Sequence, residues 1–539
     1  MRMPRLVVLA ALSSLLLALS LPNDFFPWGN PAIGLIALAP LYVALSYALS
    51  YRCAYAIGAI FGGLAHGLAS YWLWFFNDFR LWTLGSTVVA YMIVYGFLGM
   101  YLYGAIRRAG IARSLVFAMV WAVFEWAKSS GFLGYPWGLL AYSWSTIAQA
   151  TQIAESTGVY GLSFSIAFVS SSLAGIIVAV WPAHKNYTGH LVMTGIQPRE
   201  YRFLATGPTV VSIILFLAIL AYGSISLDKQ RTPRGHLNAV LVQQNEDPWE
   251  GTESESLSVS IALAREAIAG SSLVPDIILF SESTLRRPWE GFEHFYEQTP
   301  KTYSLMAFII DSGAYLFTGA PEILSYEPFE ASNAVILIDN TGAQLDTYAK
   351  MHPVPFAEAI PFWEYQAFRS FIQNVVGLES GWVMGTQRVL FDMTTRGSAL
   401  VRFAAPICFE DAFAPLCRQF VLDGAEILVN LSNDSWSKRD SAAIQHLVAA
   451  RFRAIELRRT LVRSTNGGLS AVIGPDGRIL DALPLFEATA RVVSVPVYSD
   501  ENTPYLRHGD WFVIILACIL AGLGIILFLK DAFPKEEQA

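Results

Sequence analysis

The chain of 539 residues is longer than one ordinary domain, and 54% of it is hydrophobic against only 15% charged, a balance that points to a membrane protein. Its net charge of -7 is small for this length, and no Lys/Arg run carries interleaved aromatics, so nucleic acid is excluded as a partner. The four cysteines, Cys53, Cys408, Cys417 and Cys518, are too few and scattered for a disulfide framework and lack zinc-ligand spacing, so no metal is expected and a special cysteine would be a nucleophile.

A bilayer core of about 30 Å takes roughly 20 apolar residues per spanning helix. Runs of about that length occupy 6–21, 31–50, 53–76, 82–106, 111–127, 159–181 and 208–226, and one more occupies 511–529. Arg2 and Arg5 precede the first run as they would in a signal peptide, but Leu21-Pro22-Asn23-Asp24-Phe25-Phe26 offers no small-residue cleavage site. An uncleaved helix is expected there.

Lys and Arg are retained in cytoplasmic connections, and their distribution sets the orientation. With the N-terminus inside, cytoplasmic segments hold Arg2, Arg5, Arg52, Arg107, Arg108, Arg113, Lys185, Arg199, Arg202, Lys530 and Lys535, whereas the opposite short loops hold Arg80 and Lys128. The expected organisation is a membrane domain at 1–229 with seven transmembrane helices, an extracytoplasmic domain at 230–508, and an eighth helix with a short cytoplasmic tail at 509–539. His66, the aromatic cluster Tyr71-Trp72-Leu73-Trp74-Phe75-Phe76 and the loop from Gly131 to Trp137 read as an interfacial belt. Glu125 is different, because an ionisable group near a membrane helix end needs a partner or a function. Lys128, one turn on, is the candidate partner, and both readings stay open.

From Leu237 the pattern changes to short β-rich runs between turn signals and helical stretches. Strands are expected at 237–243, 276–280, 314–318, 334–339, 399–407, 426–431, 460–464, 469–473 and 492–497, and helices at 253–269 and about 442–458. Such alternation predicts an α/β domain. Pro475-Asp476-Gly477 between two apolar runs predicts a hairpin turn, since Gly tolerates a positive φ.

Three segments put reactive groups at strand ends, where α/β sheets present active sites. The strand Asp276-Ile277-Ile278-Leu279-Phe280 runs into Glu282. Tyr348-Ala349-Lys350 ends a strand, with Glu358 shortly beyond. Ala404-Ala405-Pro406-Ile407 leads into Cys408, followed by Phe409, Glu410 and Asp411. Taken singly, Cys408 reads as a small buried hydrophobe, Lys350 as a surface cation and Glu282 as a solvated strand terminus.

Together these motifs resemble the nitrilase superfamily, and the flanking spans make the chain similar to its membrane-anchored branch, the apolipoprotein N-acyltransferases. The resemblance runs in order from the cluster at Tyr71 through Glu125-Trp126, Tyr135-Pro136-Trp137, Val354-Pro355-Phe356, Ile407-Cys408, Ser432-Asn433-Asp434-Ser435-Trp436, Gln445-His446 and Arg463-Ser464-Thr465-Asn466-Gly467-Gly468. It implies a multi-pass α-helical membrane domain joined to a nitrilase-like four-layer α-β-β-α sandwich. It also implies Glu282 as general base, Lys350 as oxyanion stabiliser and Cys408 as nucleophile, with supporting roles for Trp249, Glu358, Phe409 and Glu410. Two departures stand out. Phe409 occupies a position where the family usually has Tyr, and Ser435-Trp436-Ser437-Lys438 replaces the usual Ala-Trp-Phe-Gly.

A thiol with a reference pKa of about 8.5 needs a base or a positive field to attack an ester. Here Glu282 takes the proton and Lys350 favours the thiolate. The activity implied by the resemblance is transfer of an acyl chain from the sn-1 position of a membrane phospholipid, through a thioester on Cys408, to the free α-amino group of a diacylglyceryl-cysteine on a lipoprotein. No cofactor is implied. The expected setting is a monomer in a bacterial inner membrane with its catalytic domain outside the cytoplasm. A membrane-tethered amidase with water as acceptor uses the same triad, and a transporter or scaffold is a third reading. A long membrane domain argues against the former and the scarcity of ionisable residues in the spans against the latter.

Overall fold

The computed structural model describes residues 1–75, 81–180, 198–247, 250–355, 357–360, 362–363, 365–376, 381–499 and 502–532. Phe76, Arg80, Trp181, Lys185, Trp249, Phe356 and Lys535 lie outside them. The chain divides into two units, one of Met1–Ser129, Pro136–Lys229 and Arg507–Ala539, the other of Ser130–Tyr135 and Gln230–Leu506.

A segment surrounded by hydrocarbon must satisfy its own backbone, so the apolar runs of the first unit fold as helices. Among the described residues, five are long and apolar enough to cross a membrane: Met3–Ser20, Leu81–Arg108, Gly110–Lys128, Val159–Val180 and Thr206–Asp228. The run expected at 31–50 is instead two short helices, Pro31–Ile36 and Ala39–Ser46. Pro40 explains the break, because its ring would clash with the carbonyl of Ile36 and it has no N–H to donate. The helix therefore stops and restarts with Pro40 in the new first turn. The run expected at 53–76 forms the helix Tyr51–Ala69, whose N-cap Ser50 accepts from Cys53 N at 3.2 Å, followed by a 3₁₀ turn at Tyr71–Phe75. The run at 511–529 forms the helix Trp511–Ala532.

Small residues let these helices touch. A Cβ on Gly58 would stand 2.2 Å from the Tyr95 carbonyl oxygen and 3.0 Å from Gly99 Cα, so Gly58 and Gly99 allow the close approach typical of packing without a hydrophobic drive. Glu125 accepts from Trp121 Nε1 at 3.0 Å and from the Leu140 backbone N–H at 2.7 Å, while Lys128 Nζ donates to the Trp137 carbonyl. Both ionisable groups at this helix end thus tie down the segment that carries Trp137 and Leu140. Glu155, which the sequence did not single out, is a buried carboxylate accepting from Tyr222 and Ser226 hydroxyls at 2.7 Å each.

The second unit holds β1 (Gly235–Gln243), β2 (Ile277–Leu279), β3 (Tyr315–Tyr326), β4 (Phe329–Ile338), β5 (Gln344–Ala349), β6 (Leu390–Thr394), β7 (Leu400–Ala404), β8 (Ile427–Ser432), β9 (Thr460–Thr465), β10 (Ala471–Ile473), β11 (Ile479–Ala482) and β12 (Thr489–Val497). Among the described residues they make two six-stranded sheets, ordered β12-β1-β2-β3-β4-β5 and β11-β10-β9-β8-β7-β6. Each has parallel pairing at its centre, β1-β2-β3 and β7-β8-β9, and antiparallel strands outside.

The sheets face each other through aromatic rings and hydroxyls. Phe317 of β3 meets Phe391 and Phe403 of β6 and β7 at 5.0 and 5.1 Å, and Ser464 Oγ on β9 donates to the carbonyl of Leu279 at 2.9 Å. On the outer face of the first sheet lies the helix Glu253–Ala269, started by a capping box between Thr252 and Glu255. Its Leu257, Ile261 and Ala264 bury against Val240, Val242 and Ile278. The helix Asp440–Leu457 covers the second sheet and is buried along most of its length. The result is the four-layer α-β-β-α sandwich that the resemblance implied.

Candidate active site

Glu282 follows β2, where the backbone leaves the sheet through Ser283 at φ +58°. A Cβ on Gly319 of β3 would stand 2.4 Å from Ser283 N, so only glycine lets the Glu282 segment run this close to its neighbour strand. The side chain is 6% exposed, and its Oε1 accepts from Asn333 Nδ2 on β4 at 2.8 Å.

Lys350 comes off the end of β5, its N–H held by the Asn333 carbonyl at 2.8 Å. Buried to 2% exposure, its Nζ donates to Glu358 Oε1 at 2.8 Å and to Glu282 Oε1 at 3.3 Å. Burial disfavours its charge, but the carboxylates of Glu282 and Glu358 hold the ammonium well above the usual lysine range. Glu358 is itself oriented, since Oε2 accepts from Val354 N at 2.7 Å and Oε1 from Asn333 Nδ2 at 3.0 Å.

Cys408 opens a 3₁₀ turn, Cys408–Ala412, which follows β7 after Ala405, Pro406 and Ile407. Its φ of +49° lies in the left-handed region, which costs a non-glycine residue of order 1–3 kcal/mol and persists only where the surroundings enforce it. They do so here through Asn430 Nδ2, which donates to the Pro406 and Cys408 carbonyls at 2.7 and 2.9 Å. Burial and the negative charge of Glu282 push the Cys408 thiol well above its ordinary range, while Lys350 pulls it back only in part. These surroundings favour the thiol over the thiolate, in keeping with the expectation that a base is needed to remove the proton before this sulfur can attack.

Glu410 clasps the two loops that carry Lys350 and Cys408. Its carboxylate accepts from Met351 N at 2.7 Å, His352 N and Ile407 N at 2.8 Å, and the Tyr348 hydroxyl at 3.0 Å. Burial lifts its pKa to about 7 against the pull of those backbone donors. Phe409, in place of the family tyrosine, is 8% exposed and packs edge-on against Phe413 at 4.9 Å. Lys438, in the second departure, pairs with Asp247 at 2.9 Å near the surface. Cys417 is free and buried, its thiol pointing at the Glu410 carbonyl at 3.7 Å. Of the residues singled out from sequence, Glu282, Lys350, Cys408, Glu358, Phe409 and Glu410 converge here, and Trp249 lies outside the described residues.

Sequence reasoning missed Asn333, Asn430 and the partners of His446. An Asn at the head of the apolar run Ala334-Val335-Ile336-Leu337-Ile338 was the available signal, since Asn is depleted in strands. His446 sits in a buried group with Asp411, Asp434 and Arg463. Its Nδ1 is 2.9 Å from Asp434, its Nε2 3.0 Å from Asp411, and Arg463 pairs with both carboxylates. Among the described residues no group of His, Cys, Asp and Glu side chains has metal-site geometry.

Comparison with known proteins places both units. Residues 13–172 match the family model described as Apolipoprotein N-acyltransferase N-terminal domain, and residues 241–501 match the one described as Carbon-nitrogen hydrolase. Apolipoprotein N-acyltransferase 2 of Treponema denticola is 36% identical, with 94% of this chain and 95% of that protein covered, and its namesake in Treponema pallidum is 36% identical over 99% and 97%. The apolipoprotein N-acyltransferase of Borreliella burgdorferi is 29% identical over 99% and 97%. Among solved structures, an amidase from Nesterenkonia sp. is 18% identical with a TM-score of 0.37, covering 51% of this chain and 93% of its own.

Proposed function

The chain belongs to the apolipoprotein N-acyltransferase family, and from that premise we propose how its acyl transfer to lipoproteins is carried out: Glu282, Lys350 and Cys408 move one acyl chain in two half-reactions. The observation that carries the reading is the convergence of Glu282 and Glu358 on one buried ammonium, whose field reaches the Cys408 sulfur.

In the first half-reaction Glu282 takes the thiol proton as Sγ attacks the sn-1 ester carbonyl of a membrane phospholipid. Lys350 Nζ and the Phe409 backbone N–H stabilise the tetrahedral oxyanion, as preorganised donors do in a site that excludes water. The intermediate collapses with loss of the glycerol oxygen, which leaves as lysophospholipid with the proton from Glu282, and an acyl thioester remains on Cys408. In the second, the free α-amine of a diacylglyceryl-cysteine attacks the thioester. Glu282 accepts the amine proton and returns it to the departing thiolate, leaving an amide on the lipoprotein and the resting thiol.

Lipid and lipoprotein substrates place the enzyme in a membrane. We assign the catalytic unit to the extracytoplasmic side of a bacterial inner membrane, with seven crossings before it and one after, on the Lys/Arg asymmetry between Arg52, Arg107, Arg108 and Arg113 and the opposite loops. A monomer suffices, since all the proposed catalytic groups come from one chain.

Intact-protein mass measurement tests the mechanism. Incubation with phospholipid alone should add one acyl chain and then stop. A diacylated lipopeptide with a free N-terminus should discharge it, and an N-acetylated one should not. Loading that persists in Cys408→Ala removes the nucleophile from the scheme, and steady release of free fatty acid without an acceptor makes water the acceptor.

A further inference from the structure

Beside the Cys408 turn lies a buried set of charges that the acyl-transfer scheme does not use. Asp411 belongs to the turn itself, Asp434 follows β8, Arg463 stands on β9 and His446 comes from the helix Asp440–Leu457. Their side chains are 0 to 8% exposed. Buried charges survive only when paired and hydrogen-bonded. Two carboxylates, one guanidinium and one imidazolium meet that condition together.

His446 links this set to the nucleophile. Its Nε2 is 3.2 Å from the Cys408 carbonyl oxygen and 3.0 Å from Asp411 Oδ1, both acceptors, so Nε2 carries a proton and clamps the turn at its first and fourth residues. Nδ1 faces Asp434 Oδ1 at 2.9 Å, with Arg463 at 3.2 Å. A peptide group is planar and trans, so its C=O and N–H point in opposite directions. Fixing the Cys408 carbonyl toward His446 and Asn430 therefore also fixes the direction of the Phe409 N–H, away from the buried charges.

We propose that His446 is a positioning residue for acylation of Cys408: by holding the Cys408 carbonyl it aims the Phe409 N–H at the oxyanion formed when the thiol attacks an ester. The inference rests on Cys408 being the nucleophile.

Two reactions of the same thiol separate aiming from general support. Acylation by phospholipid passes through an oxyanion, and alkylation by iodoacetamide does not. With full-length protein in detergent, His446→Ala should acylate about 100-fold more slowly, the cost of losing an oxyanion donor, with an unchanged apparent KM for phospholipid and an alkylation rate within about threefold. His446→Gln keeps a neutral amide donor near the carbonyl; it should lose at least about tenfold in acylation and likewise keep its alkylation rate. If the Ala variant does not fold, the Gln variant decides. Wild-type acylation by either folded variant, or acylation and alkylation falling in parallel, overturns the proposal. If wild-type protein forms no adduct at all, the nucleophile assignment fails instead.

Discussion

Lys350 donates to Glu358 at 2.8 Å, a shorter contact than the 3.3 Å that separates it from Glu282. Glu358 also receives the Val354 N–H and shares Asn333 with Glu282, so it is fixed from several directions as the anion that holds the ammonium. Glu282 is left with the looser contact, suited to a group that must take and return a proton. Glu358→Gln should therefore slow thioester formation by about 10-fold, whereas Glu282→Gln, which removes the proposed base, should slow it by at least about 100-fold. Single-turnover loading with phospholipid measures both, and the reverse ranking would exchange the two roles.

Lys350→Met tests the cation. Removing one partner of a buried ionic group strands the other, at a cost of about 3–5 kcal/mol unless the carboxylates take up protons. The variant should lose turnover by about 100-fold or more and also melt at a lower temperature than wild type. Unchanged turnover would take Lys350 out of the mechanism.

The thiol gives a prediction in which two reactions move in opposite senses. Burial and Glu282 raise the Cys408 pKa, and Lys350 lowers it. At neutral pH alkylation by iodoacetamide should be slow, and it should climb with pH without a plateau between pH 7 and about 8.5, the ordinary thiol value. Glu282→Gln removes a negative charge, so it should speed alkylation while slowing acylation. If both rates fall together, Glu282 supports the site without acting as its base.

The elements most legible in the sequence are those whose signal is local. The helix Glu253–Ala269 carries its own capping box, and the Pro475-Asp476-Gly477 turn joins β10 to β11 with Gly477 at φ +81° and Gly474 N bonded to the Arg478 carbonyl at 2.8 Å. The proposed catalytic residues were legible because each stands beyond the end of a strand, Glu282 after β2, Lys350 after β5 and Cys408 after β7. What stayed hidden was set by distant partners. β6 is a five-residue edge strand whose Phe391 and Met393 find their core only when β7 and β3 are in place. His446 reads as an ordinary helical residue until Asp411, Asp434 and Arg463, 35, 12 and 17 positions away, are folded around it.

That cluster gives stability a definite pH dependence. Burial and Arg463 work against the charge on His446, but Asp434 and Asp411 prevail and lift it from 6.5 to about 9. A pKa raised by folding means that the contribution is complete below about 6.5 and is lost as pH rises through about 9. Asp434 has the opposite sign: burial opposes its charge, but His446 and Arg463 depress its pKa. Its contribution is complete above the ordinary Asp value of about 3.9 and is lost as pH falls below it. Melting temperature should decline on both sides of that range, and His446→Gln should flatten the alkaline limb. Parallel alkaline limbs in the two proteins would show that His446 does not titrate there.

Phe409 follows Cys408, the proposed nucleophile, and lacks the hydroxyl that the family usually has. Since Glu410 already accepts from four donors around the turn and Asn430 and His446 hold the Cys408 carbonyl, the backbone at this point is fixed without that hydroxyl. The ring contributes packing against Phe413, which in turn lies tilted against His352 at 4.2 Å. Phe409→Tyr keeps the ring and adds one polar atom, so it should retain acylation within about threefold, well under the roughly 100-fold or more that a lost catalytic contact costs. Phe409→Ala empties a buried site, for which losses of about 3–5 kcal/mol are usual, and the loosened turn should acylate more slowly and melt earlier. The comparison is best made on three folded proteins by acyl loading and thermal unfolding together. An inactive but stable Phe409→Tyr variant would mean that the pocket has closed around the unsubstituted ring, and full activity in Phe409→Ala would mean that the ring takes no part in holding the Cys408 turn.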